Sequence, residues 1–139
     1  MSLVVDSSVI VAALIDTGPD GAWEETVIDE QVLYAPELVR VEVTNVLRRL
    51  QLAKPITAAE ANGAEEDLTQ LEIQQFPFEP FSDCIWALRH TVTNCDVRYV
   101  SVAEELGFAL AALDRHLVKT VVPKCRFLTA DSQSFVHRR

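Results

Sequence analysis

Glycine and proline are scarce in this chain of 139 residues, at four and six, which excludes collagen-like and low-complexity classes. Cysteine is scarcer still. Cys84, Cys95 and Cys125 are odd in number and form no Cys-x-x-Cys pair, which suits a reduced, cytoplasmic protein better than a disulfide framework. Long apolar runs are missing too. Stretches such as Val9–Ile15 are too brief to span a bilayer and no basic leader precedes them, so neither a signal peptide nor a membrane helix is expected. Positive charge is also in deficit, with 12 Lys and Arg against 21 Asp and Glu and a net charge of −9. Affinity for nucleic acid comes mainly from neutralising phosphates, so this balance argues mildly against an RNA or DNA partner.

What is present is an ordinary globular composition, 49% hydrophobic and 24% charged, in a length that suits one domain over residues 1–139. The charge is uneven. Residues 1–85 carry −12, residues 86–126 carry +2 and the remainder +1, so any polyanion contact is expected from the second half or through a bound cation.

Leu3-Val4-Val5 reads as a short buried strand closed by Asp6-Ser7-Ser8, with a helix continuing to Ile15. Thr17 to Gly21 is a turn signal, and a helix with Trp23 follows. Leu33-Tyr34-Ala35 reads as a strand, and Pro36 is placed at the first position of a helix running to about Leu52. Thr57-Ala58-Ala59-Glu60 resembles a capping box before a helix to about Gln74. Phe76 to Phe81, holding two prolines, is expected as a short or edge strand. Ser82 or Asp83 opens a further helix, and Thr93 to Leu106 another, ended by Gly107. Phe108 to Leu113 is expected as a strand, Asp114 to Lys119 as a short helix and Cys125 to Leu128 as a last strand. Strands alternating with helices predict a three-layer α/β/α sandwich around a short central parallel sheet. In such sheets ligands bind beyond the carboxyl ends of the strands.

Asp6 and Asp114 fall at such strand-to-helix junctions, where Asp is also a favoured helix N-cap. Asp96, three residues after Thr93, suits a helix start in the same way. Glu42 is harder to assign to structure alone. It lies beside Leu38, Val39 and Val46 on the flank of an apolar face, and a carboxylate there needs a partner, either Arg49 or a metal. Asp96 likewise falls within an arc containing Tyr99, Val100 and Ala103. Four acids drawn together would raise one another's pKa values, and oxygen-rich clusters of this type are Mg²⁺ or Mn²⁺ sites.

Val4-Val5-Asp6-Ser7-Ser8-Val9-Ile10, Val41-Glu42-Val43-Thr44-Asn45-Val46-Leu47, Thr93-Asn94-Cys95-Asp96 with Tyr99, Ala103-Glu104-Glu105-Leu106-Gly107 and Ala112-Leu113-Asp114-Arg115-His116-Leu117 follow one another in order. Together they resemble the PIN-domain family, and more narrowly its VapC-type toxins, over essentially the whole chain. The resemblance implies a ribonuclease dependent on Mg²⁺ or Mn²⁺, with Asp6, Glu42, Asp96 and Asp114 as catalytic, metal-holding acids. Ser8 and Thr93 match hydroxyl positions that support them. Three features depart from the family pattern. Ala112 replaces a usual Thr or Ser, Cys95 a usual aromatic, and Val97-Arg98 usual small or apolar residues. Loss of the hydroxyl at 112 removes a group that orients the acids.

Arg89, Arg115 and Lys119 are candidate RNA contacts, although solvated surface charge is the ordinary role of such residues. Arg98 lies about 160° around its helix from Asp96 and is left outside the site. His90, His116 and His137 have no paired carboxylate at a recognisable spacing, and His137 falls in a tail expected to be mobile. A haloacid-dehalogenase-type phosphatase is disfavoured because Ser8 stands where its second Asp is required, and no receiver-type acidic pair is visible. The rival from another class is a catalytically silent PIN-like module that binds protein. The resemblance further implies a homodimer and a VapB-type antitoxin lying in a groove of the N-terminal helices, for which Ile15, Trp23 and Val27 are candidates.

Overall fold

The computed structural model describes residues 2–15, 26–29, 31–89, 94–112, 126–128 and 135–137, with backbone alone at 94–96, 126–128 and 135–137. Leu3, Val4 and Val5 are wholly buried in β1 (Ser2–Val5), as expected of a central parallel strand covered on both faces. Helix α1 (Ser7–Ile15) follows at once, and residues 26–29 form one helical turn. Strand β2 (Val32–Pro36), helix α2 (Val39–Leu52), helix α3 (Ala58–Gln70) and strand β3 (Ile73–Phe76) complete one half. A 3₁₀ turn (Glu79–Phe81), helices α4 (Ser82–Ala87) and α5 (Asn94–Leu106), and strands β4 (Ala109–Ala111), β5 (Arg126–Leu128) and β6 (Phe135–His137) form the other.

The six strands lie in the order β3-β2-β1-β4-β5-β6, parallel except for the antiparallel edge pair β5–β6. The chain steps outward from β1 through β2 to β3, then crosses to the far side of β1 to lay down β4 and β5. Right-handed crossovers therefore place α1, α2 and α3 on one face and α4 and α5 on the other, which makes the three layers. The strand order reverses between β1 and β4. Just past their carboxyl ends, the Asp6 N–H donates to the Ala111 carbonyl at 3.1 Å and joins the two strands where a crevice is expected.

Local sequence explains most boundaries. The Thr57 side chain accepts from the Glu60 N–H, and the Glu60 carboxylate accepts from the Thr57 N–H, both at 3.1 Å, completing the expected capping box. Gly107, at φ +70°, ends α5. Its N–H donates to the Glu104 carbonyl at 3.3 Å and the Phe108 N–H to the Ala103 carbonyl at 3.0 Å, the Schellman pattern that favours glycine.

Several expectations are corrected. Pro36 closes β2 instead of opening α2. The Glu37 N–H donates to the Phe76 carbonyl on the β3 side, so Pro36 turns its missing donor to the other side, beyond the last β1–β2 pair, Val4–Tyr34. Helix α2 begins after Leu38, held at φ +76° with no side-chain cap. Helix α3 stops at Gln70, because the Arg40 guanidinium binds the Leu68 and Leu71 carbonyls, each at 2.5 Å, and the chain then extends. The edge strand is thereby 73–76, paired with 33–36, while Pro77 leaves the ladder and Pro80 enters the 3₁₀ turn. Strand β5 is not the last. His137 belongs to β6, paired in register with Arg126, and not to a mobile tail. The short helix expected at 114–119 and the Trp23 helix before residue 26 lie outside the described residues. No described helix is long and apolar enough to cross a membrane.

Candidate active site

Asp6 is the first residue after β1 and is 6% exposed. Its carbonyl accepts from the Val9 and Ile10 N–H groups, and its Oδ1 accepts from the Ser8 N–H and the Ser7 hydroxyl, each at 3.2 Å. Asp6 thus caps α1, as the ordinary reading of the sequence expects. The cap also fixes the carboxylate at the switch point of the sheet. Ser8 lies directly beside it. Its Oγ is shielded from solvent and has no hydrogen-bond partner among the described residues.

Glu42 arrives from the first turn of α2, with its side chain 24% exposed. Its two oxygens are held from across the sheet's carboxyl edge by consecutive residues of α5. The Tyr99 hydroxyl donates to Oε2 at 2.7 Å, and the Arg98 guanidinium forms an ion pair with Oε1. Arg98 also donates to the Glu37 carbonyl at 3.3 Å. Arg98, not Arg49, is therefore the cation on Glu42 among the described residues, although its helical angle from Asp96 set it apart in the sequence reading. Helical angle measured from Asp96 was the wrong guide, because a long arginine reaches past its own face of the helix.

Tyr99 bonds Glu42 and lies within the field of Asp6. It is 1% exposed, and its hydroxyl pKa lies well above the ordinary value, chiefly through burial and then through the negative charge of Asp6, while Ser7 and Arg98 oppose the rise. The sequence placed Tyr99 in an apolar arc and assigned its hydroxyl no task. The available signal was that a buried tyrosine requires a partner for its O–H.

Of the remaining acids only Asp96 is placed, and by its backbone alone. Asp96 belongs to the first turn of α5, three residues before Tyr99, and Asp114 comes in sequence two residues after Ala112, the buried residue that follows β4. The Asp96 side chain and residues Asp114, Thr93, Arg115 and Lys119 lie outside the described residues, with His90 and His116. Among the described residues, no three His, Cys, Asp or Glu side chains gather as a metal-ligand group. Arg89 is exposed, stacks on Trp86 at 4.3 Å and donates to the Trp86 carbonyl at 2.7 Å. The donor chemistry of the described part, carboxylate oxygens with a shielded hydroxyl at Ser8, fits a hard divalent cation.

Residues 3–122 match the family model described as PIN domain. The chain belongs to the PIN-domain family. This PIN domain is 32% identical to ribonuclease VapC9 of Mycobacterium tuberculosis over 123 residues, covering 88% of the chain and 94% of the relative. It is 33% identical to ribonuclease VapC1 of the same organism over 115 residues, covering 82% and 86%. Among solved structures, VapBC2 of Rickettsia felis, bound to a DNA fragment from its promoter, superposes with a TM-score of 0.64 at 14% identity, covering 93% of this chain and 98% of the other.

Proposed function

We propose that this PIN domain is a divalent-metal-dependent endoribonuclease, the toxin of a VapBC-type pair acting in the cytoplasm. The observation that supports the reading is that Asp6 is fixed at the switch point of the sheet by its cap on α1, while Glu42 is held by the Tyr99 hydroxyl at the same carboxyl edge. The identity to ribonuclease VapC9 supports the substrate class. Asp6, Glu42, Asp96 and Asp114 would hold Mg²⁺ or Mn²⁺, with the Ser8 and Thr93 hydroxyls supporting them. When bound, such an ion acidifies an attacking water and offsets charge on the scissile phosphate. The chain's own part is to fix the acids, Asp6 through the α1 cap and Glu42 through Tyr99, and to keep them partly out of water. Looped RNA is the favoured substrate, because sequence-specific readers of RNA mostly engage unstacked bases. Arg89, Arg115 and Lys119 are the proposed RNA contacts.

A second reading, a catalytically silent module, is favoured by Ala112, whose buried methyl stands where a hydroxyl would orient the acids. Incubation of a structured RNA pool with Mg²⁺ or Mn²⁺, then with chelator, separates the two. Metal-dependent cleavage lost in Asp6→Asn supports the nuclease, and no cleavage under any metal supports the silent module.

An antitoxin partner and a homodimer belong to the same proposal. An open groove of about 510 Å³ between α1 and α2 is lined by Val11, Ala12, Ile15 and Val46, apolar surface suited to an amphipathic segment. Ile15 lines it as expected. Val27 does not, because it is 6% exposed and packs in the core, and Trp23 lies outside the described residues. The acidic first half favours a basic partner segment. Mass spectrometry of protein purified with its neighbouring reading frame is expected to show a small bound chain.

A further inference from the structure

Pro36 and Phe76, the last residues of β2 and β3, border an apolar cavity of about 190 Å³. Phe81 and Val102, both buried, form its base, while Leu38 and Phe78 are 56% and 55% exposed and stand at its mouth. The walls are held by contacts of their own. Phe76 stacks on Tyr34 at 5.9 Å and meets Phe81 edge-on at 5.8 Å, and prolines 77 and 80 stiffen the turn around Phe78. The hollow is therefore preformed, and two large apolar side chains are left in water around it. Leu38 is held there at φ +76°, a left-handed backbone unfavourable for leucine.

Three polar groups border the same cavity, the carboxylates of Glu37 and Glu79 and the guanidinium of Arg98. Arg98 also pairs with Glu42, so the cavity opens one side chain away from an acid of the site. Aromatic walls with acceptors and a donor at the edge suit a ring that is apolar on its faces and polar on its rim. A nucleobase has that chemistry. The volume falls below the about 300–1,000 Å³ of pockets for drug-sized ligands and suits one ring system. At a net charge of −9 the chain gains little from phosphates, so contacts to bases must carry more of its affinity for RNA.

We propose that this cavity is a base-binding subsite, which takes one unstacked nucleobase of the RNA beside the bond that is cut. The inference rests on the nuclease reading above and adds to it a place where sequence preference arises. Phe78 stacks on the base at the mouth, and Arg98, Glu37 and Glu79 meet its polar edge. The antitoxin segment is assigned a separate groove, between α1 and α2.

The test uses the full chain, in chelator so that no RNA is cut, and a pair of probes equal in length and charge. One is a short single-stranded RNA and the other the matching abasic ribose-phosphate chain, each end-labelled for fluorescence anisotropy. Phe78→Ala is expected to weaken binding of the RNA about tenfold, the scale of one base–aromatic stack, and to leave the abasic chain within about twofold. Phe78→Trp keeps a stacking face and is expected to bind the RNA as the parent does. Phe78 is exposed, so truncating it leaves the core intact. Unchanged RNA binding in Phe78→Ala overturns the subsite, as does an equal loss for both probes, or a parent that binds no RNA. A dimer that dissociates in Phe78→Ala with RNA binding intact, seen by light scattering, assigns the cavity to a second copy and overturns it too. The nuclease reading fails by a different readout, a parent that cuts no RNA with Mg²⁺ or Mn²⁺, and the subsite falls with it.

Discussion

The Tyr99 hydroxyl donates to Glu42 Oε2 at 2.7 Å, linking the middle of α5 to the first turn of α2 across the carboxyl edge of the sheet. Tyr99 is almost wholly buried while Glu42 is about a quarter exposed, so the bond ties a core side chain to a partly exposed carboxylate. Packing and site geometry therefore share one residue.

Tyr99→Phe keeps the ring in its packing and removes only the hydroxyl. Glu42 then loses a neutral donor in a part-buried position, a loss of about 1–2 kcal/mol. Urea denaturation is expected to show a lower midpoint with an unchanged slope, and RNA cleavage is expected to fall because Glu42 is no longer fixed. A midpoint equal to the parent's would show that the hydrogen bond contributes nothing net.

The same residue gives stability a pH dependence. The Tyr99 pKa is raised in the folded chain, first by burial and then by Asp6, so the native state keeps its proton where the unfolded state has lost it. Stability from this group is therefore fully present below the ordinary tyrosine pKa of about 10 and declines as pH rises above it. Denaturation curves between pH 9 and 11 are expected to show that decline in the parent and a shallower one in Tyr99→Phe (roughly the span over which an unperturbed phenol ionises). Parallel curves for the two proteins would contradict it.

Much of this arrangement was legible in the sequence, for reasons specific to each element. Leu3-Val4-Val5 and Phe108 to Leu113 read as strands because parallel strands buried on both faces leave uninterrupted apolar runs, and β1 and β4 (Ala109–Ala111) fall within them. Thr57 with Glu60, and Gly107, carry their cap geometry in their own side chains or in the lack of one. Pro36 misled because φ near −65° suits a helix start and a strand end equally, and only pairing with β3 decides between them. Asp6 was legible from its place after β1, but the Arg98–Glu42 pair was not. Partners 56 positions apart are brought together by the crossover from β3 to β4, and no local spacing encodes that distance.

Gly107→Ala tests the α5 stop. At φ +70° an alanine is strained, and the space around an added Cβ is open, with no atom within 4 Å. The cost is therefore conformational, about 1 kcal/mol, without a steric clash. Gly107→Asn is expected to recover part of it, since asparagine tolerates left-handed backbone better than alanine. Equal losses for the two variants would point to a contact rather than to backbone strain.

Asp6→Asn separates the cap from the metal site. Asparagine caps a helix about as well as aspartate, so the Ser8 N–H keeps an acceptor and the metal-free variant is expected to melt close to the parent. If Asp6 shares a cluster with the other acids, removing its charge also relieves repulsion in the metal-free protein, which favours equal or slightly higher stability. With Mn²⁺ at a hundredfold excess over its dissociation constant, the parent is expected to gain about 2.7 kcal/mol, and Asp6→Asn much less. Thermal melts of both proteins, with chelator and with Mn²⁺, give the comparison directly. If the two gain equally from the metal, Asp6 is a helix cap alone, and the metal-dependent reading loses the best-placed of its acids.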